Sequence, residues 1–240
     1  MKNPSLGGKI AAVIALAALF LPLARAQSVR EVAFRTLCLQ YADNLKSAYA
    51  SSGKGGNTEV RLFTGGFSPV YTAAFTGDTA TLYVEEAGAP DGKKIIASGQ
   101  LAGGKQQLFL LFPDPDKKLP YRIHCMNDDV AAFPMGGLRF LNLAPFSARL
   151  ELSGSKLDPV KPGGIETYPQ VVKVDEWNMY QARIEFQKPD GKWATVSSPS
   201  WKASKLKRDL VVATFDAKTR TPRMFNFKDI PDWLEQPPAE

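Results

Sequence analysis

The hydrophobic positions of this chain fall into many short runs rather than into long helical stripes. The runs are rich in β-branched and aromatic residues and are bounded by Gly, Pro, Asp or Ser, a pattern typical of β-strands. They are EVAFRTLCLQ, TEVRLF, TATLYVEE, KKIIAS, QLFLLF, YRIHC, LRFLNL, ARLEL, QVVKV, YQARIEF, WATVSS and LVVATF. Only YADNLKSAYA, residues 41–50, has a helical pattern. The sequence therefore predicts an all-β fold.

The tetrapeptide PDGK occurs twice between such runs, at residues 90–93 and 189–192. Proline fixes φ at the first turn position and glycine accepts a positive φ, so both copies predict hairpin turns. A turn repeated at a distance of 99 residues indicates a longer repeat.

Three further pairs of segments align in the same order and at nearly the same offset. FRTLCL (34–39) aligns with LRFLNL (138–143), QLFLLFPD (107–114) with DLVVATFD (209–216), and YRIHCMND (121–128) with PRMFNFKD (222–229). We therefore predict two tandem immunoglobulin-like β-sandwich domains, residues 27–134 and 135–233, each of roughly 100 residues. The boundary falls in Pro134-Met135-Gly136-Gly137. One larger sandwich or a jelly roll is the alternative.

The N-terminus has the order of a secretory signal peptide. Lys2 and Lys9 precede an apolar run, and Ala-Arg-Ala ends at residue 26, which predicts cleavage before Gln27. The run is shorter than the roughly 20 residues that span a bilayer, although a retained anchor is the alternative. We expect export to the periplasm, the cell surface or the medium, with residues 234–240 as a disordered tail.

Charge and hydropathy argue against a nucleic-acid partner and against an integral membrane segment in the mature chain. The whole chain carries +6, and residues 1–26 contain three basic and no acidic residues, which leaves +3 after cleavage. This charge is too small to indicate a nucleic-acid partner. No stretch after the signal peptide is long and apolar enough to predict an integral membrane segment.

The only histidine, His124, directly precedes one of the two cysteines, Cys125. Neighbours along a strand point to opposite faces, so we expect Cys125 to face inward, His124 to face solvent, and the pair not to act as base and nucleophile. Cys38 lies on the inward face of the first strand of the same repeat. We predict a Cys38–Cys125 disulfide in an oxidising compartment, with two buried free thiols as the alternative.

Other catalytic and metal sites have little support in the sequence. A Ser-His-Asp triad would have to use His124, and no Gly-x-Ser-x-Gly elbow is present. Zinc usually takes clustered His or Cys ligands, and the acids of PDPDKK (113–118) and Asp128-Asp129 lack the spacing of a calcium loop. We expect no cofactor and no metal, and those acids are typical of solvated turns.

All four tryptophans lie in the second repeat: Trp177, Trp193, Trp201 and Trp233. We expect Trp177 to fill the core and Trp193 to pack across strands. SPSWKASKLKRD reads as a polar loop in which cations surround Trp201, and such a loop would face an acidic glycan or an acidic protein. A solvated basic hairpin with one anchoring aromatic is the alternative. The candidate binding residues are Trp201, Lys202, Lys205, Lys207 and Arg208.

LRFLNLAPFSARLELSG, residues 138–154, resembles the opening strands of a secreted immunoglobulin-like domain family of unknown function. In that family an Arg-x-x-Asn strand leads to a second strand that ends in Gly. FRTLCLQ (34–40) resembles it less closely, with Cys38 in place of the Asn. The resemblance implies a β-sandwich fold and brings no activity or site residues.

The sequence thus predicts an exported, non-enzymatic binding or scaffold protein of the cell envelope, whose partner is an envelope protein or a glycan. An assembly subunit of the envelope belongs to the same class and would expose an unpaired edge strand. The alternative is an exported hydrolase that acts on polysaccharide through two carboxylates about 5 to 9 Å apart.

Overall fold

The computed structural model describes residues 28–52, 56–171 and 173–231 of an all-β chain. The predicted signal peptide (1–26), the predicted tail (234–240) and Trp233 lie outside these residues. The described part contains no α-helix, and no helix in it is long and apolar enough to cross a membrane. The helical pattern of residues 41–50 was therefore misleading, because this segment forms a turn followed by a strand.

Eight strands make up the first half of the chain. They are β1 (Val29–Cys38), β2 (Ser47–Ser51), β3 (Asn57–Arg61), β4 (Tyr71–Thr76), β5 (Thr79–Glu85), β6 (Lys93–Gln100), β7 (Gln106–Pro113) and β8 (Tyr121–Asn127). All eight belong to one sheet, in the order β3-β2-β5-β6-β8-β7-β1-β4.

Nine strands make up the second half. They are β9 (Leu138–Asn142), β10 (Ala148–Leu152), β11 (Ser155–Lys156), β12 (Ile165–Tyr168), β13 (Met179–Gln187), β14 (Trp193–Ser197), β15 (Ser200–Lys202), β16 (Arg208–Asp216) and β17 (Thr221–Asp229). They form two sheets, β11-β10-β13-β14 and β12-β9-β16-β17, and β15 pairs with β13.

The two halves follow one plan of strand pairing. The first strand of each half pairs in parallel with the penultimate strand, so that Arg35 lies opposite Leu108 and Arg139 opposite Leu210. The last two strands of each half form an antiparallel hairpin. The PDGK turns join β5 to β6 and β13 to β14. The pairing register of the first hairpin shifts after Leu82 and that of the second after Ile184, which is the equivalent position. Among the strands that the structure describes, none of the first half pairs with one of the second half.

Each half has an apolar core of its own, and a third apolar cluster lies between the halves. This junction cluster consists of buried side chains from β1, β7, β8, β9 and β16: Leu37, Leu108, Leu110, Met126, Leu141, Leu210 and Val212. Alternate residues of the same strands face the two cores. Burial on both faces is the reason that QLFLLF and LVVATF are continuous apolar runs rather than alternating ones.

The halves differ at one strand–strand contact, the seam between β6 and β8. In the first half these strands pair in parallel, with Ala97 opposite Tyr121. Gly99 permits the close approach, because a Cβ added there would lie 2.3 Å from the carbonyl oxygen of Ile123. The eight strands therefore form one continuous sheet.

In the second half the equivalent strands β14 and β17 do not pair. Pro199 is equivalent to Gly99. The carbonyl of Pro199 accepts the N–H of Ala182, and Gly99 lies opposite Ala80, the residue of the first half that corresponds to Ala182. Pro222 takes the place of Tyr121, by its position in the final hairpin. A proline carries a bulky ring and no N–H, so it neither approaches a neighbouring strand closely nor donates to it. The two prolines thus leave this seam open.

We expect Gly99→Ala to destabilise the protein by about 1–3 kcal/mol, because the added methyl group forces β6 away from β8. Denaturant unfolding measures the loss. Gly103→Ala is the control, since no atom lies within 4 Å of a Cβ added at Gly103. Equal stability of the two variants would contradict a tight β6–β8 seam.

Candidate functional site

The predicted Cys38–Cys125 disulfide is wrong, because both cysteines are free. They do face the same core, as expected, and Cys38 is buried while Cys125 is half-buried. The error lies in the strand order. Strand β7 lies between β1 and β8, with Leu111 opposite Cys38 and Phe109 opposite Cys125.

Strand spacing shows how far apart this order holds the two cysteines. Two strand spacings separate them by about 10 Å across the sheet. Their partners on β7 are two residues apart, which adds an offset of about 7 Å along the strands. A disulfide needs Cα atoms within roughly 7 Å of each other, so the bond would require this sheet to be taken apart.

His124 lies opposite Leu110 on the face of β8 that points away from Cys125. The expected separation of the two side chains is therefore correct, but His124 is half-buried rather than exposed. Burial lowers the pKa of His124 and raises the pKa of Cys125 to about 12 and that of Cys38 to about 11. Thiols with such values stay protonated at neutral pH and are poor nucleophiles.

Trp201 lies on strand β15 rather than in a polar loop. It pairs with Tyr180 of β13, and the two rings meet edge to face with centroids 6.0 Å apart. The indole is half-buried and packs on the core of the second half. The hydroxyl of Tyr180 is buried and has no hydrogen-bond partner in the described structure. Trp201 thus covers a buried tyrosine, which fits the anchoring alternative.

The cations predicted around Trp201 are not gathered into one surface. Lys202 and Lys205 are exposed. The ammonium of Lys207 is bound to the carboxylate of Asp209, and burial raises the pKa of Asp209. Arg208 is completely buried. It therefore has to be removed from the predicted binding set.

Arg208 belongs to a buried ionic cluster at the junction of the two halves. Its Nε donates to Asp229 Oδ2 at 2.6 Å and its Nη2 to Asp128 Oδ1 at 2.5 Å. Arg35 binds the same two carboxylates, with 2.7 Å from Nε to Asp128 Oδ2 and 2.6 Å from Nη1 to Asp229 Oδ1. All four residues are at most 3 % exposed. Each half supplies one arginine and one aspartate, and each arginine binds one aspartate of its own half and one of the other.

A third arginine, Arg139, adds contacts from the second half to the first. It donates to the carbonyl oxygens of Asn127 at 2.7 Å and Ala132 at 2.8 Å. The guanidinium groups of Arg139 and Arg208 both lie on the ring of Phe133, at 4.3 and 4.5 Å from its centroid. Burial lowers the pKa of Arg139 to about 10, which still leaves it charged at neutral pH.

The junction ion cluster consists of Arg35, Arg208, Asp128 and Asp229, and its charges satisfy one another. Burial opposes the charge of Arg35, but hydrogen bonds and attraction from Asp229 and Asp128 outweigh it and raise the pKa of this guanidinium. Bidentate pairs of this kind are the strongest geometry for arginine and carboxylate. The sequence carried a signal for part of the cluster, because the repeat aligns Arg35 with Arg139 and Asp128 with Asp229, whereas Arg208 lies outside the aligned segments.

The carboxylates that the fold brings together at the junction are not placed for hydrolysis. Asp128 and Asp229 are bound by the same two guanidinium groups and are shielded from solvent. A glycosidase needs its two acids at an open groove. Among residues 28–52, 56–171 and 173–231, no group of three or more His, Cys, Asp or Glu side chains is arranged to hold a metal ion.

Trp177 was expected in the core, but its side chain is 68 % exposed. It lies in a turn that Asp175 organises: Asp175 Oδ1 accepts the N–H of Trp177 at 3.0 Å and that of Met179 at 2.7 Å. Asn178 adopts a positive φ of 60° and donates its N–H to the carbonyl of Asp175. The turn therefore presents the indole to solvent from a fixed backbone.

An apolar groove opens beside the segment that carries this turn. Its volume is about 100 Å³. The apolar side chains of its lining are Leu152, Leu157, Tyr168 and Val171, and the polar ones are Ser155, Gln170 and Lys173. The segment is tied to the β10–β11 hairpin, because Ser153 Oγ donates to the carbonyl of Lys173 at 2.6 Å.

Trp193, the other tryptophan expected to be structural, packs across strands as predicted. The guanidinium of Arg149, on β10, lies 4.1 Å from the centroid of its ring. Of the tryptophans that the structure describes, Trp177 is thus the exposed one, and Trp193 and Trp201 are half-buried.

No protein-family model matches the chain, and no curated protein is significantly similar to it.

We expect neither thiol to react with a thiol reagent at neutral pH in the native protein, because burial raises the pKa of both. Two thiols should react once the protein is unfolded without a reductant. A thiol titration measures both numbers. No reactive thiol before reduction and two after it would contradict the strand order β1-β7-β8.

We expect Asp229→Ala to cost about 3–5 kcal/mol of stability, because it leaves two buried guanidinium groups with too few acceptors. Denaturant unfolding at neutral pH measures the loss. Glu86→Ala removes an exposed partner of Lys94 and serves as the control, for which little change is expected. Similar stability of the two variants would contradict the role of the junction ion cluster.

Proposed function

We propose that the protein is an exported, non-enzymatic binding or scaffold protein of the cell envelope. In this proposal the signal peptide, residues 1–26, is removed. The mature chain folds as two tandem immunoglobulin-like β-sandwich domains, residues 27–134 and 135–233. The shared plan of strand pairing and the separate apolar cores support two domains.

The exposed Trp177 is the observation that carries the binding function. A tryptophan held in solvent by a rigid turn loses little conformational freedom when a partner covers it, and tryptophan is enriched among the residues that dominate binding energy. The hydrogen bonds of Asp175 supply this rigidity. The binding surface is therefore proposed at the Trp177 turn, in place of Trp201 and its neighbouring cations.

The size of the neighbouring groove favours a protein partner over a free small ligand. Pockets for small molecules enclose roughly 300–1,000 Å³, whereas this groove measures about 100 Å³. Such a volume takes one aliphatic side chain. We therefore propose that a partner protein covers Trp177 and inserts one apolar side chain between Leu157 and Val171.

The junction supports a scaffold role. The buried ion pairs Arg35–Asp229 and Arg208–Asp128 and a buried apolar cluster join the two halves, and pairs that satisfy each other in this way favour one relative arrangement of the elements that supply them. Surfaces on both halves are then held at a fixed distance, which is what a scaffold requires.

We expect Trp177→Ala to weaken binding at least tenfold and to leave the melting temperature unchanged, because the side chain contributes to no core. The measurement compares capture of envelope proteins and binding to a glycan array by the two purified proteins. Leu206→Ala, which truncates another exposed side chain of the same half, is the control and should bind normally.

Trp201→Ala gives the complementary outcome, because loss of the ring uncovers Tyr180 and should lower the melting temperature. Unchanged binding by the Trp177 variant would refute this surface. Binding of wild-type protein to glycans alone would refute the protein partner.

A further inference from the structure

The outer edge of β17 carries backbone groups that no described strand covers. In β16, the N–H of Asp209 and the C=O of Ala213 bond on the β9 side. Their partners across the β16–β17 hairpin are Lys228 and Met224. Because residues opposite each other in an antiparallel pair alternate between bonded and unbonded pairs, the backbone groups of Met224, Asn226 and Lys228 point away from β16.

The equivalent edge of the first half is covered. Strand β8 receives β6 there, in parallel. In the second half, Pro199 and Pro222 occupy the positions at which such a pairing would form. Strand β17 is nine residues long, and Pro222 stands near one end of it, so most of its outer edge retains N–H donors. Long edges of this kind are usually shortened, covered or interrupted.

The chemistry of this edge favours an acidic partner. The β16–β17 hairpin exposes Lys218, Arg220, Arg223 and Lys228. Of these, Arg223 is paired with Asp216 at 2.7 Å. Lys218 and Arg220 lie in the turn, and Arg223 and Lys228 lie on β17. Charges of one sign on one hairpin discourage a second copy of the same strand and attract a segment of the opposite sign.

The side chains of β17 would give an added strand apolar contacts. Phe225 and Phe227 are half-buried and their rings lie parallel, with centroids 6.1 Å apart. Phe67 of the first half packs edge to face on Phe227. An extended segment with alternating apolar side chains would extend this aromatic row while its backbone bonds to β17.

We infer that the outer edge of β17 binds an extended segment of an acidic partner protein as an additional β-strand. Main-chain hydrogen bonds to Met224, Asn226 and Lys228 hold the segment, and alternate side chains select it. This site is separate from the Trp177 turn. A negative result in the Trp177 test therefore does not argue against the β17 site, and a negative result at β17 does not argue against the Trp177 turn.

The first test is amide hydrogen exchange, followed by NMR, on the purified protein. The amides of Phe225 and Phe227 face β16 and should exchange slowly. The amides of Met224, Asn226 and Lys228 should exchange quickly. Equal protection of both sets overturns the proposal, and so does protection that rises with protein concentration, because a second copy would then be the occupant.

The second test adds an acetylated peptide with the sequence of β6, residues 93–100, in which Lys93→Glu and Lys94→Glu supply acidic groups. At millimolar peptide the amides of Met224, Asn226 and Lys228 should become protected at least tenfold. The same peptide N-methylated at alternate amides, which cannot form a full ladder, should protect none of them. No protection by the unmodified peptide, or equal protection by both, overturns the proposal.

A protein variant checks the same contact. Lys228→Pro removes one outward N–H together with one charge, and Lys228→Ala removes the charge alone. The proline variant should lose most peptide protection at Met224 and Asn226, whereas the alanine variant should keep more of it. Equal loss in both variants would mean that charge rather than strand pairing holds the peptide, and this overturns strand addition.

Discussion

Two arginines and two aspartates, shared between the halves of the chain, are the interaction on which the rest of this structure depends. Any one of these charges, buried alone, would be strongly destabilising. Together they satisfy one another: Arg35 and Arg208 each bind both Asp128 and Asp229. The apolar junction cluster lies on the same strand faces. Because the two aspartates belong to different halves, neither half keeps its charges satisfied without the other.

The two halves share one plan of strand pairing but differ in how their edges are covered. In the first half Gly99 lets β6 close on β8, and the sheet is continuous. In the second half prolines hold the equivalent strands apart, and the crossing from β12 to β13 is long enough to present Trp177 and to border a groove. The exposed Trp177 and the outer edge of β17, which support our two binding proposals, therefore both lie in the second half.

Much of the fold could be predicted from the sequence, and the site could not. Apolar periodicity predicted an all-β chain. The segments that the repeat aligns occupy equivalent places in the two halves, because Arg35 lies opposite Leu108 and Arg139 lies opposite Leu210. The disulfide was wrong because strand order is a long-range property: nothing local shows that β7 lies between Cys38 and Cys125. Trp177 and Trp201 were misassigned for a related reason, since exposure depends on which residues the opposite sheet supplies. Arg208 looked like a surface cation because its neighbours in sequence are lysines.

We propose that the junction holds the two halves as one rigid body. Nitrogen-15 relaxation of the purified mature protein tests this claim most directly, because it reports the rotational diffusion of each half separately. We expect the strand amides of both halves to fit a single diffusion tensor, with the correlation time of the whole chain. Two tensors, each with the shorter correlation time of a domain of about 100 residues, would contradict it.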